Sequence, residues 1–486
     1  MPSREPEQTG DSGIMETKPR HIHFIAICGV GMAPMAVMLR DAGYHVTGSD
    51  NAAYPPMGDM LREAGIEVHL GFDAKNLEPR PDLVVVGNAV TRANVEAQAV
   101  EAMGIEKTSF PAALGRFFLG RGKRSLVVAG THGKTTTTGM LAHCLATAGA
   151  EPGYLVGGLV RDLGKLAAAG GGEYFVVEGD EYDTAYFDKG PKFLHYKPSA
   201  VILTSVEFDH ADIYTDVEHV KSSFRKLAGI IPPNGPLVGC VDYPHLLSAI
   251  DGVGSYRFVP YGMRCSEGWE PRSISVGPEG SEFDLCWKGR REAQLRLSLG
   301  GSMNVLNATA VYGLCRELGI ELGAVASGLA TYKGAARRQE IVGEAGGITV
   351  VDDFAHHPTA VGLTIAAIRG RFPGRRLIAV FEPRSNTSRR AVFQQAYADA
   401  LAGADLVALS EVFRKENDPL KPEEMLSTDR LIADLSGRGV TAWTEAGPEE
   451  ILARLRTELR GGDVVLCMSN GAFGGLPRKV LAQIDG

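Results

Sequence analysis

Short apolar runs recur along the chain, and most are followed by a glycine or polar turn and then by a stretch with helical spacing. The runs are continuous rather than alternating, which is typical of strands buried on both faces of a parallel sheet. They are His21–Ile27, Tyr44–Gly48, Leu83–Gly87, Leu126–Ala129, Tyr174–Val177, Ala200–Leu203, Ile348–Val351, Leu377–Phe381, Leu406–Leu409 and Val464–Met468. This pattern predicts an α/β fold built on doubly wound parallel sheets.

The helical stretches between the runs carry apolar residues three and four positions apart. After the first run, Met32, Met35, Ala36 and Leu39 share one face, and Gly43 ends the stretch. The other predicted helices are Met140–Ala148, Thr359–Ile368, Ala391–Ala402 and Glu449–Leu459. Residues 233–300 show glycines, charges and short mixed strands, and they indicate little about chemistry.

The length of 486 residues exceeds what a single core supports, so about two to four domains are expected. We predict a disordered tail at residues 1–20 and a Rossmann-like domain at residues 21–122. A central domain with a P-loop follows at residues 123–343, and a second Rossmann-like domain occupies residues 344–486.

Composition and charge exclude some classes of protein. The chain has 44% apolar and 22% charged residues, as soluble globular proteins do, and its formal net charge of −8 argues against a nucleic-acid partner. No apolar run approaches the ~20 residues that span a bilayer, and residues 1–20 lack the apolar stretch of a secretory signal. The seven cysteines form no CxxC pair, which favours free thiols and a cytoplasmic location.

The clearest chemical motif is a glycine-rich turn between the run Leu126–Ala129 and the helical stretch after it. Backbone N–H groups of such a turn and the N-terminus of the next helix attract phosphate oxygens. In such a turn, the ammonium group of a lysine reaches the β- and γ-phosphates, and the hydroxyl group of the next residue binds Mg²⁺. The motif consists of Gly130, Thr131, His132, Gly133, Lys134, Thr135 and Thr136. It predicts a nucleoside triphosphate site, with a plain turn as the alternative, since the loop is two residues shorter than the standard P-loop.

A second glycine turn follows the first apolar run of the chain. Gly29 and Gly31 form it, and Asp50 lies 19 positions after Gly31 at the end of the next run. This order is typical of a nucleotide-binding βαβ unit. Pro34 stands where the dinucleotide pattern has its last glycine, so a dinucleotide site and an ordinary crossover turn both remain open.

Two acidic segments, Glu178–Asp183 and Glu207–His210, follow the runs Tyr174–Val177 and Ala200–Leu203. Because the carboxyl ends of parallel strands meet at one edge of a sheet, both segments are expected beside the glycine-rich turn. Mg²⁺ prefers oxygen ligands, and Glu178 follows its strand directly. The sequence therefore predicts a metal site here, and solvated loop charges are the alternative for either segment alone.

Polar residues also follow the strands predicted in the last block of the chain. They are Asp352, Asp353, His356 and His357, then Glu382, Arg384, Ser385 and Asn386, and finally Ser469 and Asn470. Ligands of open α/β sheets bind outside such strand ends. The segment His356–Pro358 has an alternative reading as a helix-capping turn, because proline suits the first turn of a helix.

Taken together and in this order, the motifs resemble those of the Mur ligases, the ATP-dependent amide-forming enzymes of bacterial cell-wall synthesis. The resemblance covers nearly the whole chain after residue 20 and implies a three-domain architecture. The segments that carry it are Gly130–Thr136, Glu178–Asp183, Glu207–His210, Asn304–Asn307, Gly334–Arg338 and Asp352–Pro358.

The resemblance implies a role for each block. The first block binds the UDP part of UDP-N-acetylmuramate through Gly29, Gly31 and Asp50. The residues that join the glycine-rich motif in binding ATP are Asn304, Asn307 and Asp352. The Mg²⁺ ligands are Thr135, Glu178 and His210. The catalytic residues are Lys134, Glu178, His210, Arg337 and His356, and the peptide contacts are Arg384, Ser385 and Asn386.

Two members of the family fit the motifs. One adds L-alanine to UDP-N-acetylmuramate in peptidoglycan synthesis, and the other adds the whole tripeptide L-alanyl-γ-D-glutamyl-meso-diaminopimelate in murein recycling. Segments such as Tyr54–Met57, Phe187–Lys189 and Glu382–Thr387 are typical of the second. Positions that depart from the family pattern are Gly179, Ser205 and Met303, and the last of these removes a polar group expected near the adenine.

Other classes of protein explain only part of the chain. A nicotinamide dehydrogenase leaves the glycine-rich motif without a use, and a GTPase-like switch lacks a guanine-reading motif. A folylpolyglutamate-type ligase shares the last two blocks but not the first. A UDP-sugar sensor requires that Lys134 and Glu178 be dispensable. The sequence indicates no oligomeric state.

Overall fold

The computed structural model describes residues 20–485 apart from residues 121, 415–417 and 419. The predicted disordered tail therefore lies almost wholly outside the described residues. The chain forms two compact units, of which the first ends at Phe110 and the second begins at Pro111.

A five-stranded parallel sheet forms the first unit, with the strand order β3-β2-β1-β4-β5. Its strands are β1 (His21–Ile25), β2 (His45–Asp50), β3 (Glu67–Leu70), β4 (Leu83–Val86) and β5 (Glu106–Ser109). The helices are α1 (Met32–Asp41), α2 (Met57–Glu63) and α3 (Val95–Ala102), and α4 (Phe110–Leu114) follows at the division between the units. The parallel sheet predicted for this block is confirmed.

The second unit contains a ten-stranded sheet in the order β17-β16-β15-β14-β13-β12-β6-β9-β7-β8, and β10 and β11 form a separate hairpin. The strands are β6 (Arg124–Ala129), β7 (Gly153–Leu155), β8 (Ala167–Ala168), β9 (Tyr174–Gly179), β10 (Asp183–Ala185), β11 (Asp188–Pro191), β12 (Ala200–Leu203), β13 (Pro236–Cys240), β14 (Arg257–Tyr261), β15 (Trp269–Gly277), β16 (Gly280–Trp287) and β17 (Arg290–Leu297). The helices are α5 (Lys134–Thr147), α6 (Val217–Gly229), α7 (Pro244–Ile250), α8 (Ser302–Leu318) and α9 (Leu322–Thr331). The strands β15 to β17 are antiparallel and eight or nine residues long, so residues 233–300 are more regular than their sequence indicates.

A six-stranded sheet in the order β18-β19-β23-β20-β21-β22 completes the second unit, and all its pairs except β18 with β19 are parallel. The strands are β18 (Glu340–Ala345), β19 (Ile348–Asp353), β20 (Leu377–Phe381), β21 (Leu406–Ser410), β22 (Thr441–Glu445) and β23 (Val464–Met468). The helices are α10 (Pro358–Arg371), α11 (Gln394–Leu401), α12 (Thr428–Ser436), α13 (Pro448–Glu458) and α14 (Leu476–Asp485). Successive residues such as Val350 and Val351 enter the cores on opposite faces of the sheet, which explains the continuous apolar runs.

Three neighbouring strands of the ten-stranded sheet bring the chemical motifs together. β6 lies between β9 and β12, with Val128 opposite Glu178 and Ala129 opposite Leu203. The chain turns sharply at Gly130, whose φ is +128°. A Cβ atom there would lie 2.3 Å from the hydroxyl oxygen of Thr204, so only glycine fits this approach to the end of β12.

All seven cysteines have the free thiols that the sequence predicts, and all seven are buried. Burial raises the pKa of the Cys28 thiol to about 11 and that of Cys240 to about 12. Within the described part of the chain, no helix has the length and apolar character needed to cross a membrane.

Candidate active site

The glycine-rich loop between β6 and α5 is held rigidly against the residues that follow β12. The N–H of Thr131 donates to the carbonyl of Ser205 at 3.1 Å, and the N–H of His132 donates to the Ser205 hydroxyl at 2.8 Å. Gly133, with φ +79°, directly precedes α5. Because these contacts fix the loop in place, the free N–H groups at the start of α5 form a preorganised site for an anion.

The ammonium group of Lys134 lies at the mouth of this loop. Its Nζ donates to the carbonyl of Gly130 at 2.6 Å and lies 3.1 Å from both carboxylate oxygens of Glu181. Burial disfavours the charged form of Lys134, but Glu181, together with Asp180 and Glu178, raises its pKa overall. Lys134 therefore carries a positive charge at the loop, and Glu181 is a partner that the sequence did not single out.

Thr135 and Glu178, two predicted metal ligands, are in direct contact. The Thr135 hydroxyl donates to Oε1 of Glu178 at 3.0 Å, and the N–H of Gly157 donates to Oε2 at 3.0 Å. A hydroxyl beside a carboxylate is a donor set that fits Mg²⁺. The third predicted ligand, His210, lines the same cavity, and its Nε2 lies 3.0 Å from Oε1 of Glu181.

The charged groups around His210 set its protonation. Burial lowers the pKa of His210, but the hydrogen bond to Glu181 and the charge of Asp209 raise it overall. Burial of Asp209 favours its neutral form, yet His210 and His356 hold the pKa of its carboxyl well below the usual range. The Thr387 hydroxyl donates to Asp209 at 2.5 Å, so the segment after β12 is fastened to the segment after β20.

A cluster of His132, Glu207 and His357 lies beside the glycine-rich loop, with ligand atoms within 4.8 Å of one another. His132 Nε2 lies 2.6 Å from Glu207, and His357 Nε2 donates to the carbonyl of Phe208 at 3.2 Å. The other ring nitrogen of His357 accepts the N–H of Thr359 at 3.3 Å, which makes His357 the N-cap of α10. The helix-capping alternative is thus confirmed for His357.

Acid destabilisation of the second unit is expected to depend on His357. Burial, and then the nearby His132, lower the pKa of His357 from 6.5 to about 4. Between these two pH values, His357 binds a proton in the unfolded chain but not in the folded chain. Its contribution to the free energy of unfolding is therefore complete above about pH 6.5 and is lost as the pH falls toward 4. At 1.36 kcal/mol per pKa unit, the loss reaches ~3 kcal/mol. Urea unfolding at a series of pH values measures it.

The variant His357→Asn provides the control for this pH dependence. Asparagine caps helices well and does not titrate, so the variant keeps the helix cap. It loses only the part of the pH dependence of the free energy of unfolding that comes from protonation of residue 357. If wild type and variant lost stability with acid equally steeply, the assignment to His357 would be contradicted.

The structure changes the sequence-based assignment of three polar residues. Arg338, not Arg337, lines the cavity and donates to the Thr135 hydroxyl at 3.1 Å. The guanidinium of Arg337 instead contacts Asp352 at 3.3 Å and the carbonyl of Ser469 at 2.6 Å. Both guanidinium groups lie over the ring of Phe354, at 5.4 Å for Arg337 and 4.4 Å for Arg338.

The two remaining changes follow from strand and helix geometry. Asp353, not Asp352, lines the cavity, because successive residues of β19 point to opposite faces of the sheet. Asn304 lines the cavity at the start of α8. Asn307 packs against the loop instead, and its Oδ1 lies 2.9 Å from the place of a Cβ at Gly133.

The predicted peptide contacts line the same cavity as the glycine-rich loop, and its volume is about 590 Å³. The guanidinium of Arg384 stacks on the ring of Phe413 at 4.3 Å. Ser385 is buried and exchanges hydrogen bonds with Ser388 at 2.8–2.9 Å, so it shapes the turn that presents Arg384 and Asn386. His356 lies on the same wall, with its Nε2 4.0 Å from Asp209.

The predicted sugar-nucleotide residues come together in the first unit. The N–H of Cys28 donates to a carboxylate oxygen of Asp50 at 2.9 Å, which ties the turn of Gly29 and Gly31 to the end of β2. A Cβ at Gly31 would lie 2.9 Å from the ring of Phe110, so the close packing of this turn requires glycine.

The cavity of the second unit has the parts that phosphoryl transfer needs. Lys134 and Arg338 supply positive charge at the glycine-rich loop, and Thr135 and Glu178 supply oxygen ligands. Such groups stabilise charge on a transferring phosphoryl group. Arg384 and Asn386 on the same cavity provide contacts for a second, polar reactant.

Three family models match the chain in sequence order. The model described as Mur ligase family, catalytic domain, matches residues 21–121. The Mur ligase middle domain matches residues 128–315, and the model described as Mur ligase, glutamate ligase domain, matches residues 337–471.

Two relatives that align along nearly the whole chain carry different names. The UDP-N-acetylmuramate--L-alanyl-gamma-D-glutamyl-meso-2,6-diaminoheptandioate ligase of Escherichia coli K12 is 38% identical over 95% of this chain and 97% of its own. A UDP-N-acetylmuramate--L-alanine ligase of Laribacter hongkongensis is 34% identical over 96% and 98%. The crystal structure of a murein peptide ligase from Psychrobacter arcticus superposes with a TM-score of 0.71 at 31% identity, covering 96% of this chain and 99% of that one.

Proposed function

The chain belongs to the Mur ligase family, and from this premise we propose that it joins the tripeptide L-alanyl-γ-D-glutamyl-meso-diaminopimelate to UDP-N-acetylmuramate at the expense of ATP. One observation carries the proposal. The glycine-rich loop with Lys134 and the turn with Arg384 and Asn386 face a single cavity, so a phosphorylated carboxylate and a peptide amine can meet there.

In the proposed reaction, the γ-phosphoryl group passes from ATP to the lactyl carboxylate of the muramate. This step breaks the bond between the γ-phosphorus and the β,γ-bridging oxygen, releases ADP and forms an acyl phosphate. The transfer concentrates charge on the phosphoryl oxygens, which Lys134 and Arg338 neutralise. Thr135 and Glu178 would hold Mg²⁺, which would supply further charge neutralisation. His210 would join them as a ligand once its ring, which contacts Glu181, has lost its proton.

The α-amine of the tripeptide then attacks the acyl carbon after losing a proton. His356 suits this proton transfer, because burial lowers its pKa and keeps the imidazole neutral. Its Nδ1 lies 3.2 Å from the carbonyl of Phe354, which leaves Nε2 available as the acceptor. Collapse of the tetrahedral intermediate expels phosphate and leaves the amide.

The other substrate contacts form part of the same proposal. Gly29, Gly31 and Asp50 approach the diphosphate and uridine of the sugar nucleotide, and Arg384 pairs with a carboxylate of the peptide. We place the domains at residues 21–122, 123–343 and 344–486. The five-stranded and ten-stranded sheets fall within the first two ranges, whereas the six-stranded sheet begins at Glu340, shortly before the third range. The free cysteines support a cytoplasmic setting.

Acceptor choice tests the proposed substrate. With UDP-N-acetylmuramate and ATP present, ADP release is expected to be at least about 100-fold faster, as kcat/KM, with the tripeptide than with L-alanine. The reason is that L-alanine lacks the carboxylates and amides, farther from the reacting amine, that the tripeptide offers to Arg384 and Asn386. Tetra- and pentapeptides measure how far the acceptor can extend. A preference for L-alanine would instead assign the reaction named for the Laribacter relative.

A further inference from the structure

The second unit contains a smaller cavity beside the one that holds the glycine-rich loop, and its volume is about 230 Å³. Pockets for drug-sized ligands have roughly 300–1,000 Å³, so this cavity suits a small ion with a few water molecules. The basic side chains that line it are those of Arg161, Lys333, Arg338 and Arg371. Glu340 is the one acidic side chain that lines it among the described residues. The balance of charge therefore favours an anion.

Backbone contacts fix one wall of this smaller cavity. Val160 and Ala335 form an isolated antiparallel bridge. Next to the bridge, the N–H of Arg161 donates to the carbonyl of Gly334 at 3.2 Å. The segment between β7 and β8 is thus fastened to the segment after α9, and the wall is in place before any ligand arrives.

Two of the basic groups already have acidic partners. Arg161 pairs with Glu340 at 2.6 Å, and the ammonium group of Lys333 lies 3.8 Å from Asp162. A guanidinium has five N–H groups and an ammonium has three, so both side chains keep donors that these pairs do not use. They can contact an anion without losing their present partners.

Arg371, the last residue of α10, has no such partner. Among the described residues, its guanidinium forms neither an ion pair nor a hydrogen bond. Burial lowers the pKa of Arg371, and the charge of Glu279 offsets this only in part. A partly buried cation without a partner is unfavourable, and a bound anion would supply the missing charge and hydrogen-bond acceptors.

Arg338 connects the two cavities, since it lines both of them. In the larger cavity, one of its N–H groups donates to the Thr135 hydroxyl at 3.1 Å. Burial lowers the pKa of Arg338 as well, because the charges of Asp353 and Glu178 compensate it incompletely. An anion in the smaller cavity would take up part of the positive charge that Arg338 offers to a transferring phosphoryl group.

We propose that the smaller cavity is a second anion site, which binds inorganic phosphate between Arg371 and Arg161 and slows turnover through Arg338. A tetrahedral oxyanion accepts hydrogen bonds through several oxygens at once, as the arrangement of guanidinium groups requires. Phosphate is also the small oxyanion that the proposed reaction releases. The effect on turnover rests on the proposed ATP-dependent function, whereas the binding of phosphate does not.

Calorimetric titration of inorganic phosphate into the protein without nucleotide tests the site. Wild type is expected to bind two phosphate ions, one at the glycine-rich loop and one in the smaller cavity. Lys134→Ala is expected to keep the second binding event. Arg371→Leu is expected to keep the first and to weaken the second by about 10-fold or more, because charge-assisted hydrogen bonds are lost. If Lys134→Ala binds no phosphate, or if Arg371→Leu binds it as wild type does, the second site is overturned.

Arg369 offers a matched control on the same helix. Its guanidinium pairs with Asp405 at 2.8 Å, and it does not line the smaller cavity, so Arg369→Leu is expected to keep both binding events. Arg371→Lys keeps the charge without the planar fork of donors, and an intermediate affinity is expected. Chloride at the same ionic strength is expected to leave the binding in place. If chloride abolished it, general screening would explain the result and the site would be overturned.

ADP release at increasing phosphate concentrations measures the effect on turnover. Phosphate at the glycine-rich loop competes with ATP and raises KM, whereas phosphate in the smaller cavity lowers kcat at saturating ATP. The fall in kcat is expected to disappear in Arg371→Leu, and the rise in KM is expected to remain. An equal fall in kcat in wild type and variant would overturn the coupling through Arg338. If wild type releases no ADP with any acceptor, the proposed function is wrong, and the calorimetric result still decides the site.

Discussion

Replacement of Lys134 by alanine is expected to lower kcat by about 10³-fold or more while binding of UDP-N-acetylmuramate survives. The Nζ of Lys134 lies beside the free N–H groups of α5, where the β- and γ-phosphates bind such a loop. Removing a fixed positive charge from a low-dielectric cavity costs most in the transition state, where charge develops on the phosphoryl oxygens. Steady-state ADP release measures the loss.

The Lys134→Ala substitution has a side effect on stability, which needs a control. It leaves Glu181, which is 3% exposed, with His210 as its remaining basic partner, so general instability has to be separated from lost catalysis. Lys221 is similarly buried on α6 and pairs with Glu218 at 2.7 Å outside the cavity, so Lys221→Ala should retain turnover. Calorimetry that showed lost UDP-sugar binding in the Lys134 variant would contradict the assignment of that site to the first unit.

Glu178→Gln is expected to lower kcat by about 100-fold and to raise the Mg²⁺ concentration needed for half-maximal rate. Both oxygens of Glu178 accept hydrogen bonds, from Thr135 and from the N–H of Gly157. A glutamine amide presents its NH₂ group to one of these donors and provides a single, uncharged oxygen for a hard cation. Initial rates at a series of Mg²⁺ concentrations separate the two effects.

Glu173 offers a matched substitution for this experiment. It directly precedes β9, the strand that contains Glu178, and more than half of its side chain is exposed. Glu173→Gln is therefore expected to leave both the rate and the Mg²⁺ dependence unchanged. A normal Mg²⁺ dependence in Glu178→Gln would remove Glu178 from the ligand set.

The strands of the fold can be predicted from the sequence because each is marked by a continuous local run of apolar residues. Leu377–Phe381, Ala200–Leu203 and Val464–Met468 have the bounds that their apolar runs predict. Each lies inside a parallel sheet with apolar cores or helices on both faces, so every residue is selected for burial. The glycine-rich loop is equally local, since Gly130 and Gly133 occupy conformations that only glycine adopts readily.

The parts that sequence reasoning missed depend on which way neighbouring side chains point. Arg337 and Arg338, like Asp352 and Asp353, are adjacent and chemically identical, and only the backbone geometry decides which of each pair reaches the cavity. The partnership of Lys134 with Glu181 joins positions 47 residues apart through the pairing of β6 with β9.

The burial of every cysteine makes the native chain suitable for site-specific labelling without prior removal of thiols. A maleimide reacts with the thiolate, and the thiols of Cys28 and Cys240 are both enclosed and raised in pKa. Leu70 in the first unit is 72% exposed, and Val392 in the second is 71% exposed. Cysteines introduced at these two positions would carry a pair of fluorophores, and energy transfer between them would report in solution whether the distance between the two units changes as each substrate is added.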